Sequence, residues 1–538
     1  MIGIIANSAD HETICEFFEL FKTPWEYYRH GQRYRVVICA NDVPSHVEAN
    51  LVVMYSAGRT RADGERGSVL PARPSVPNLL EFQEDSIPVY GNILSFPGSK
   101  NILLTLKTSK ECVAYLEQCG ECWYARVGYD LFAEVRKLLT EGQPITQALL
   151  PTLDLHIDFL RQLIVRCGIA LVEIPPVPDG FRFIVCLTHD VDHPSIRQHK
   201  CDHTMAGFLY RAIFGSFRSL LRGDITVGSL LANLAAVLKL PLVHLGLAKD
   251  FWREFGDNYL AAEGDLVSTF FVIPFKNDAG LGMTGNAPRF RASRYQARDL
   301  GDVLGTLIGA KREIGLHGID AWRNSAKGRA ELEEIRRLTT AKEIGVRMHW
   351  LYYDQQSPAV LEKSGADYDS TVGYNEAVGY RAGSTQAYKP IGVSRMLELP
   401  LHVMDTALFY GGRMALSKEQ AMPILMVLVE NAGRFGGCLT INWHDRSLSP
   451  ERLWGDFYLE VLRELRKQGA WFATAGQAVS WFRKRRSAVF QVDSSGSSEI
   501  LTRVPTAEDK LPGLCLRRHE PRAPGDAPSA NRFEHCLR

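Results

Sequence analysis

The chain contains no uninterrupted apolar run of the roughly 20 residues that a membrane-spanning helix needs. The nearest approach, residues 229–248, is broken by Asn233, Lys239, Pro241 and His244. The first ten residues hold no basic segment, and their apolar run is too short for a signal peptide, so a cytoplasmic protein is the expectation. A surplus of one charge is also missing: 62 Lys plus Arg stand against 61 Asp plus Glu, a formal net charge of +1. A nucleic-acid binder needs a basic surplus on one face, and these totals do not ask for one. Paired CxxC motifs at zinc spacing are absent; Cys119-Gly-Glu-Cys122 stands alone and reads as structural. The 11 cysteines are odd in number and sit mostly in apolar runs (Cys39, Cys167, Cys186, Cys438), as reduced core thiols do.

What is present fits a folded protein of two or three domains: 538 residues, 46% hydrophobic and 23% charged. Residues 1–174 read as a small α/β N-terminal domain of unknown role. Its β-branched runs lie at 1–6, 34–40 and 51–55, and an amphipathic stretch at 11–21. A loop rich in Pro, Gly and charge follows at 59–76, then helical patterns at 110–118, 129–140 and 153–167. Three prolines within 175–180 mark a linker.

From 181 to 486, short apolar runs at 183–187, 267–273, 313–316, 345–348, 397–399, 438–441 and 471–474 alternate with helical patterns such as 330–342 and 457–467. This order predicts βα units and a mostly parallel, barrel-like sheet, whose chemistry sits at the carboxyl ends of the strands. An insertion of about 200–262 carries His199-Lys-Cys201-Asp-His203, read as incidental. Its Leu-, Phe- and Arg-rich stretch at 208–247 reads as a buried helical pair, with peripheral membrane contact as the alternative. Residues 487–538 lack periodicity and read as a disordered tail.

Reactive residues gather at the predicted strand ends. Thr188-His189-Asp190-Val191-Asp192-His193 places two carboxylates at alternate positions, hence on one side of an extended segment. One is then able to hold a cation while the other acts as a base, although helix-capping aspartates in a surface loop would look the same. His317-Gly-Ile-Asp320 presents nitrogen and oxygen ligands three apart, with Gly318 allowing close approach of a ligand. Arg347-Met-His349-Trp350 offers a guanidinium for a carboxylate and an indole for a sugar face. Tyr368-Asp369-Ser-Thr and Gly379-Tyr-Arg381 read, alone, as polar loops. Asn442-Trp443-His444-Asp445 puts a histidine beside an acid, a candidate general acid.

In this order the series resembles the polysaccharide deacetylase family (chitooligosaccharide deacetylase, or NodB-homology, type) over about 181–486. The most specific pieces are THDVD at 188–192, STFFVIP at 268–274, EIGLHG at 313–318, YDST at 368–371, LTINWH at 439–444 and WFATAGQAVSWF at 471–482. The resemblance implies a (β/α)7-type barrel and a bacterial enzyme that removes an acyl group from an amino sugar, in surface-polysaccharide synthesis. It implies Asp190 as the base that activates a metal-bound water, Arg347 as its positioner and His444 as the acid. Asp192 and His317 are implied as ligands of a divalent metal, zinc or else cobalt or nickel. Trp350, His349, Asp369, Arg381 and Trp443 are the substrate-binding candidates. Three positions depart from the pattern. The family's second metal histidine is replaced by Ala321, which leaves Asp320, His193 or water as third ligand. Its motif-three proline is His349, and the aliphatic residue of its acetyl pocket is Asn442. A glycan-binding protein without turnover and a hydrolase of non-sugar amides stay open as alternatives, and the oligomeric state is open.

Overall fold

The computed structural model describes residues 1–40, 47–63, 68–70, 77–223, 225–492, 500–503, 510–521 and 533–537. Residues 64–67 and 71–76 of the expected loop at 59–76, and much of the tail, lie outside the described residues.

The C-terminal sheet consists of short strands buried on both faces, the pattern of parallel strands under helices. In hydrogen-bonding order they are Leu397–Glu398, Tyr368–Asp369, Gly345–Met348, Glu313–Gly318, Ser268–Val272, Ile184–Val191, Cys438–Asn442 and Val403–Met404, all parallel. The two outermost pieces belong to one segment, 397–404. Along it Leu399 N–H donates to the Asp369 carbonyl and His402 N–H to the Thr440 carbonyl. One segment thus borders both edges of this path, and the short strand Trp471–Phe472 pairs beside it with Ile184–Val185. Helices such as Ser325–Thr339, Lys418–Phe435, Gly455–Arg466 and Ala475–Ser487 alternate with the strands, in line with the expected βα order.

Register carries the reactive residues to one end. Thr188 lies opposite Asn442, Asp190 opposite Phe271, and His317 opposite Arg347. Cys186 and Cys438, on neighbouring strands, are buried free thiols, as are Cys39 and Cys167.

The N-terminal sheet has nine strands, parallel from Trp25–Tyr27 through Ile2–Ile5, Tyr34–Cys39 and Ala49–Tyr55 to Cys122–Val127, and antiparallel beyond. Helices His11–Phe21, Leu131–Thr140 and Thr152–Arg166 share its core. The helix expected at 110–118 is instead the strand Cys112–Cys119, which turns at Gly120 (φ 63°) into Cys122–Val127. Both faces of its first five residues are covered, so no two-residue period marks it as a strand.

Buried polar contacts join this sheet to the barrel. Asp154 accepts from Ser384 and Thr385, Glu16 pairs with Arg486, and the Arg485 guanidinium donates to the carbonyls of Glu19, Leu20 and Ile174.

Two expectations fail elsewhere. Within the presumed disordered tail, Leu514–His519 pairs antiparallel with Leu171–Glu173. Leu514 is buried, and the Glu173 carboxylate takes both Arg517 and His519. The acid that orders these basic residues stands some 340 positions away, so local composition could not reveal it. In the insertion, helix Val227–His244 is only 22% buried and not the core helix expected.

His156 illustrates how burial shapes pH stability. It is fully buried with Nδ1 on the Tyr129 hydroxyl (3.0 Å), and burial pushes its pKa down to about 3. The unfolded chain binds that proton near pH 6.5 and the folded chain does not, so stability falls as pH drops below 6.5. Linkage gives a loss of about 2 kcal/mol from this group by pH 5. Denaturant melts at pH 5 and pH 8 are expected to differ less in His156→Gln than in the parent protein.

Candidate metal centre

Alternation along Ile184–Val191 turns Thr188, Asp190 and, just beyond, Asp192 to the barrel interior and sends His189 outward. There His189 meets the Trp443 carbonyl (2.8 Å) and Glu263 (2.7 Å). Asp192 faces His317 from the strand Glu313–Gly318, and His349 from the turn after Gly345–Met348. The ligating atoms of these three lie within 4.8 Å of one another. Asp192 Oδ1 is 3.4 Å from His317 Nε2 and 3.6 Å from His349 Nε2. Ligands about 2.05 Å from a tetrahedral ion stand about 3.3 Å apart, so this spacing suits a zinc-type cation.

The donor chemistry agrees. Asp192 Oδ1 is buried without a hydrogen-bond partner. His317 Nδ1 lies 3.0 Å from the Arg347 carbonyl, which accepts only from an N–H, so Nε2 is the nitrogen left to face Asp192 and a cation. Burial holds His349 well below the usual histidine range and therefore neutral, against the pull of Asp192. Asp192 stays well below the usual carboxylate range: burial works against its charge, but His317, His349 and His444 outweigh it. The three residues fit a divalent cation.

His349 therefore takes the place of the histidine missing at 321. Its turn is strained: Trp350 and Leu351 both have positive φ, 66° and 53°. The strain is held by Arg291, which donates to the His349 carbonyl (2.9 Å), and by Asn375, which donates to the Trp350 carbonyl (3.0 Å). His349 was expected as a substrate contact; its position instead sets its Nε2 with Asp192 and His317 in the group that could hold the cation.

Asp190 sits beside this set, and each of its oxygens takes a donor. Arg347 reaches Oδ1 at 3.1 Å and Asn442 reaches Oδ2 at 2.8 Å, while Asn442 Oδ1 accepts from the Asp190 N–H. Arg347 is anchored in turn by Thr188 Oγ1 (2.7 Å) and by the carbonyl and hydroxyl of Ser370 (2.9 Å each). Asn442, which looked like a mere loss from an acyl pocket, thus positions Asp190. Across the cavity, His444 Nδ1 donates to Asp405 Oδ1 at 2.6 Å, and its Nε2 lies 3.8 Å from Asp192. Burial opposes its charge, but Asp405, Asp192 and Asp190 raise its pKa to about 9. Nothing local in the sequence marks Asp405, which reaches His444 only through the barrel's closure at 397–404.

Other expected site residues do other work, His193 from within the cavity wall. Asp320 accepts from Leu281 N–H and pairs with Lys327, so it latches a loop and is no metal ligand. His193 turns to His199 (3.2 Å), which pairs with Asp202, and Cys201 is exposed. Gly318 leaves room for Met348, not for a ligand: a Cβ there would stand 2.6 Å from its sulfur. Trp443 points out of the barrel and packs on Phe457 and Tyr458. Asp369 is fully buried against Ser370, Thr371 and Glu398; burial pushes its pKa up to about 6 and holds Glu398 well above the usual carboxylate range. Arg381 donates to the Gly373 carbonyl, and its own carbonyl receives Gln143 N–H from the loop after helix Leu131–Thr140, away from the cavity. Trp350 does line the cavity, of about 280 Å³, with Asp190, Asp192, His317, His349 and His444.

Neither a family profile nor a curated protein matches the sequence. Among solved structures the chain is similar to one described as a polysaccharide deacetylase from Mycobacterium smegmatis, at 17% identity over 58% of this chain and 95% of that one, TM-score 0.36. It is also similar to one described as a polysaccharide deacetylase from Pseudomonas aeruginosa PAO1, at 14% identity, 58% and 94% coverage and TM-score 0.35. A third is the Puue allantoinase, at 14% identity, 57% and 92% coverage and TM-score 0.33. What this chain does rests on its own site.

Metal analysis of purified variants tests the ligand set. His349→Ala is expected to lose most of its bound divalent ion and Asp320→Asn to keep it; the reverse would restore Asp320 as the third ligand.

Proposed function

We propose that the chain is a metal-dependent hydrolase that removes an acetyl or other acyl group from an amino sugar of a polysaccharide or its precursor. The observation that carries this is the opposition, across one small cavity, of a base and an acid in complementary states. Asp190 has both of its carboxyl oxygens clamped by donors, and His444 Nδ1 is held by Asp405, which favours its charged form. Asp192, His317 and His349 would hold the cation between them. When bound, the cation supplies Lewis acidity at the acyl carbonyl and eases ionisation of the attacking water.

The protein's own groups account for the protons. Asp190 takes one from water as its oxygen adds to the acyl carbon. His444 gives one to the leaving nitrogen as the carbon–nitrogen bond breaks, so water and amide become acid and amine. Arg347 and Asn442 keep the Asp190 carboxylate from rotating between these steps. Trp350 and Trp454 in the cavity wall offer flat apolar faces of the kind that sugar rings stack against. At about 280 Å³ the cavity is at the small end for ligand sites, which suits one sugar unit and its acyl group.

In Asp190→Asn, turnover of an N-acetylated amino-sugar oligomer is expected to fall by about 10² to 10⁴ with metal content unchanged. Near-parental turnover would sink the mechanism. The acid form of His444 is lost as pH rises through about 9. Asp405→Asn removes the main group that raises its pKa, so the alkaline limb of kcat/KM is expected to move to lower pH; an unmoved limb would exclude His444 as the acid.

A further inference from the structure

The insertion between the first two barrel strands is built as a hairpin. His203–Tyr210, a π-helical turn at Arg211–Gly215 and Ser216–Arg222 form one arm, and Val227–His244 forms the other. Its inner side is a small core around Phe208, Ala212, Leu240 and Trp252. Its outer side has the wrong polarity for water. Tyr210, Phe214, Phe217 and Leu221 recur at helical spacing along the first arm and are all exposed, Leu221 by 88%. Val227, Leu231, Leu238, Leu242 and Leu245 do the same along the second, Leu238 by 79%. Two unpartnered apolar stripes at a 3.6-residue period are the pattern of helices lying in a lipid interface. The second arm does not span, because its other face packs on the protein and Asn233 is bonded to Ser216 there (2.8 Å). Charge points the same way: residues 203–249 hold five Lys and Arg against one acid, Asp224, and Arg218, Arg222, Lys239 and Lys249 are exposed.

The foot of this hairpin meets the metal cavity. Both the π-helical turn and Val227–His244 pack against Pro450–Arg452. Arg413, Arg446 and Arg452 line the cavity, and Arg211 stands behind them. Among the described residues none of the four makes an ion pair with a carboxylate. They are held by rings and a hydroxyl instead: Arg413 and Arg452 each lie 5.8 Å from the Tyr410 ring, Arg446 lies 4.8 Å from Trp252, and Arg413 donates to Thr406 (2.6 Å). Gly207 makes space for Arg211, since a Cβ there would stand 3.1 Å from its guanidinium. Burial and the neighbouring Arg452 lower Arg446 to about 9 and Arg211 to about 10, and the opposing pull of Asp445 on the first and Glu451 on the second does not offset this. Several guanidiniums around one space suit a phosphoryl group, whose oxygens accept from planar forks.

We infer that the hairpin seats the barrel on a lipid bilayer and that the arginines at its foot take the phosphate of a lipid-linked sugar, presenting its acyl group to the metal centre. That the lipid-borne group is an acylated sugar rests on the hydrolase reading above, whereas vesicle binding does not depend on turnover.

The test is flotation of the full chain with three vesicle types: phosphatidylcholine alone, with phosphatidylglycerol, and with a polyprenyl phosphate. The parent protein is expected to float, most strongly with the polyprenyl phosphate. Leu231→Glu/Leu238→Glu/Leu242→Glu is expected to bind all vesicles roughly tenfold or more weakly. Leu221→Glu, at the most exposed position, guards against loss of folding in the triple variant and is expected to weaken binding as well. Arg446→Gln/Arg452→Gln is expected to lose the polyprenyl phosphate increment and keep the rest. Failure of the parent to float would overturn the inference. So would flotation indifferent to the leucines or to the lipid phosphate, or a solution dimer that the leucine variants dissociate. Flotation that obeys these expectations without any deacylation would leave the inference standing and remove the hydrolase reading.

Discussion

Arg347 is fully enclosed inside a sheet that closes on itself, and a guanidinium there persists only if its charge is matched and its donors are used. It meets both conditions by spanning the barrel: Thr188 and Asp190 on one strand, Ser370 at the end of another, and the Phe271 ring 4.5 Å beneath it. The carboxylate it requires for neutrality is the one proposed as the base. Removing either partner leaves a buried charge unpaired, which costs several kcal/mol. Stability of the barrel and placement of the base are therefore one requirement. Asn442 completes it from the opposite neighbouring strand, because strand register sets its side chain against Asp190.

The ligand set follows a similar logic. An ion needs three donors at one point but does not prescribe which strands supply them. The strand that carries His317 offers one donor to this point, and the turn after the adjacent strand offers His349 as another. His349 reaches the point only through a left-handed pair, Trp350 and Leu351, held by Arg291 and Asn375. Such a conformation costs on the order of 1–3 kcal/mol per residue, and bonds to the turn's carbonyls offset it.

Much of this was legible in the residues. Strand positions, the alternation that turns Asp190 and Asp192 to one side, and the placing of His317, Arg347 and His444 at strand ends all follow from periodicity and motif order. Whatever depended on which side of a closed sheet a residue faces was not. Trp443 and Asn442 are neighbours in the chain, yet one lies in the outer core and the other in the site. Asp369 and Arg381 read as polar loop residues, but they serve the closing segment and the loop after helix Leu131–Thr140. Contacts between distant segments were also hidden, such as Asp405 with His444 and Glu173 with Arg517.

Charge in the cavity is unevenly spent, and this separates the site into two halves. On the metal side every carboxylate is answered: Asp190 by Arg347 and Asn442, Asp405 by His444 and Ser447, and Asp192 by three imidazoles. On the hairpin side, among the described residues, the arginines touch aromatic faces and a hydroxyl and form no ion pair. Burial raises Asp445, to about 6, and Glu451, and so diminishes their power to neutralise Arg446 and Arg211. Tyr410, between Arg413 and Arg452, registers the imbalance: burial should raise its phenol, yet Arg452 and Arg211 bring it below the usual range. A neutral sugar amide satisfies the first half and leaves the second unanswered. A ligand that carries an anion at one end and the amide at the other satisfies both.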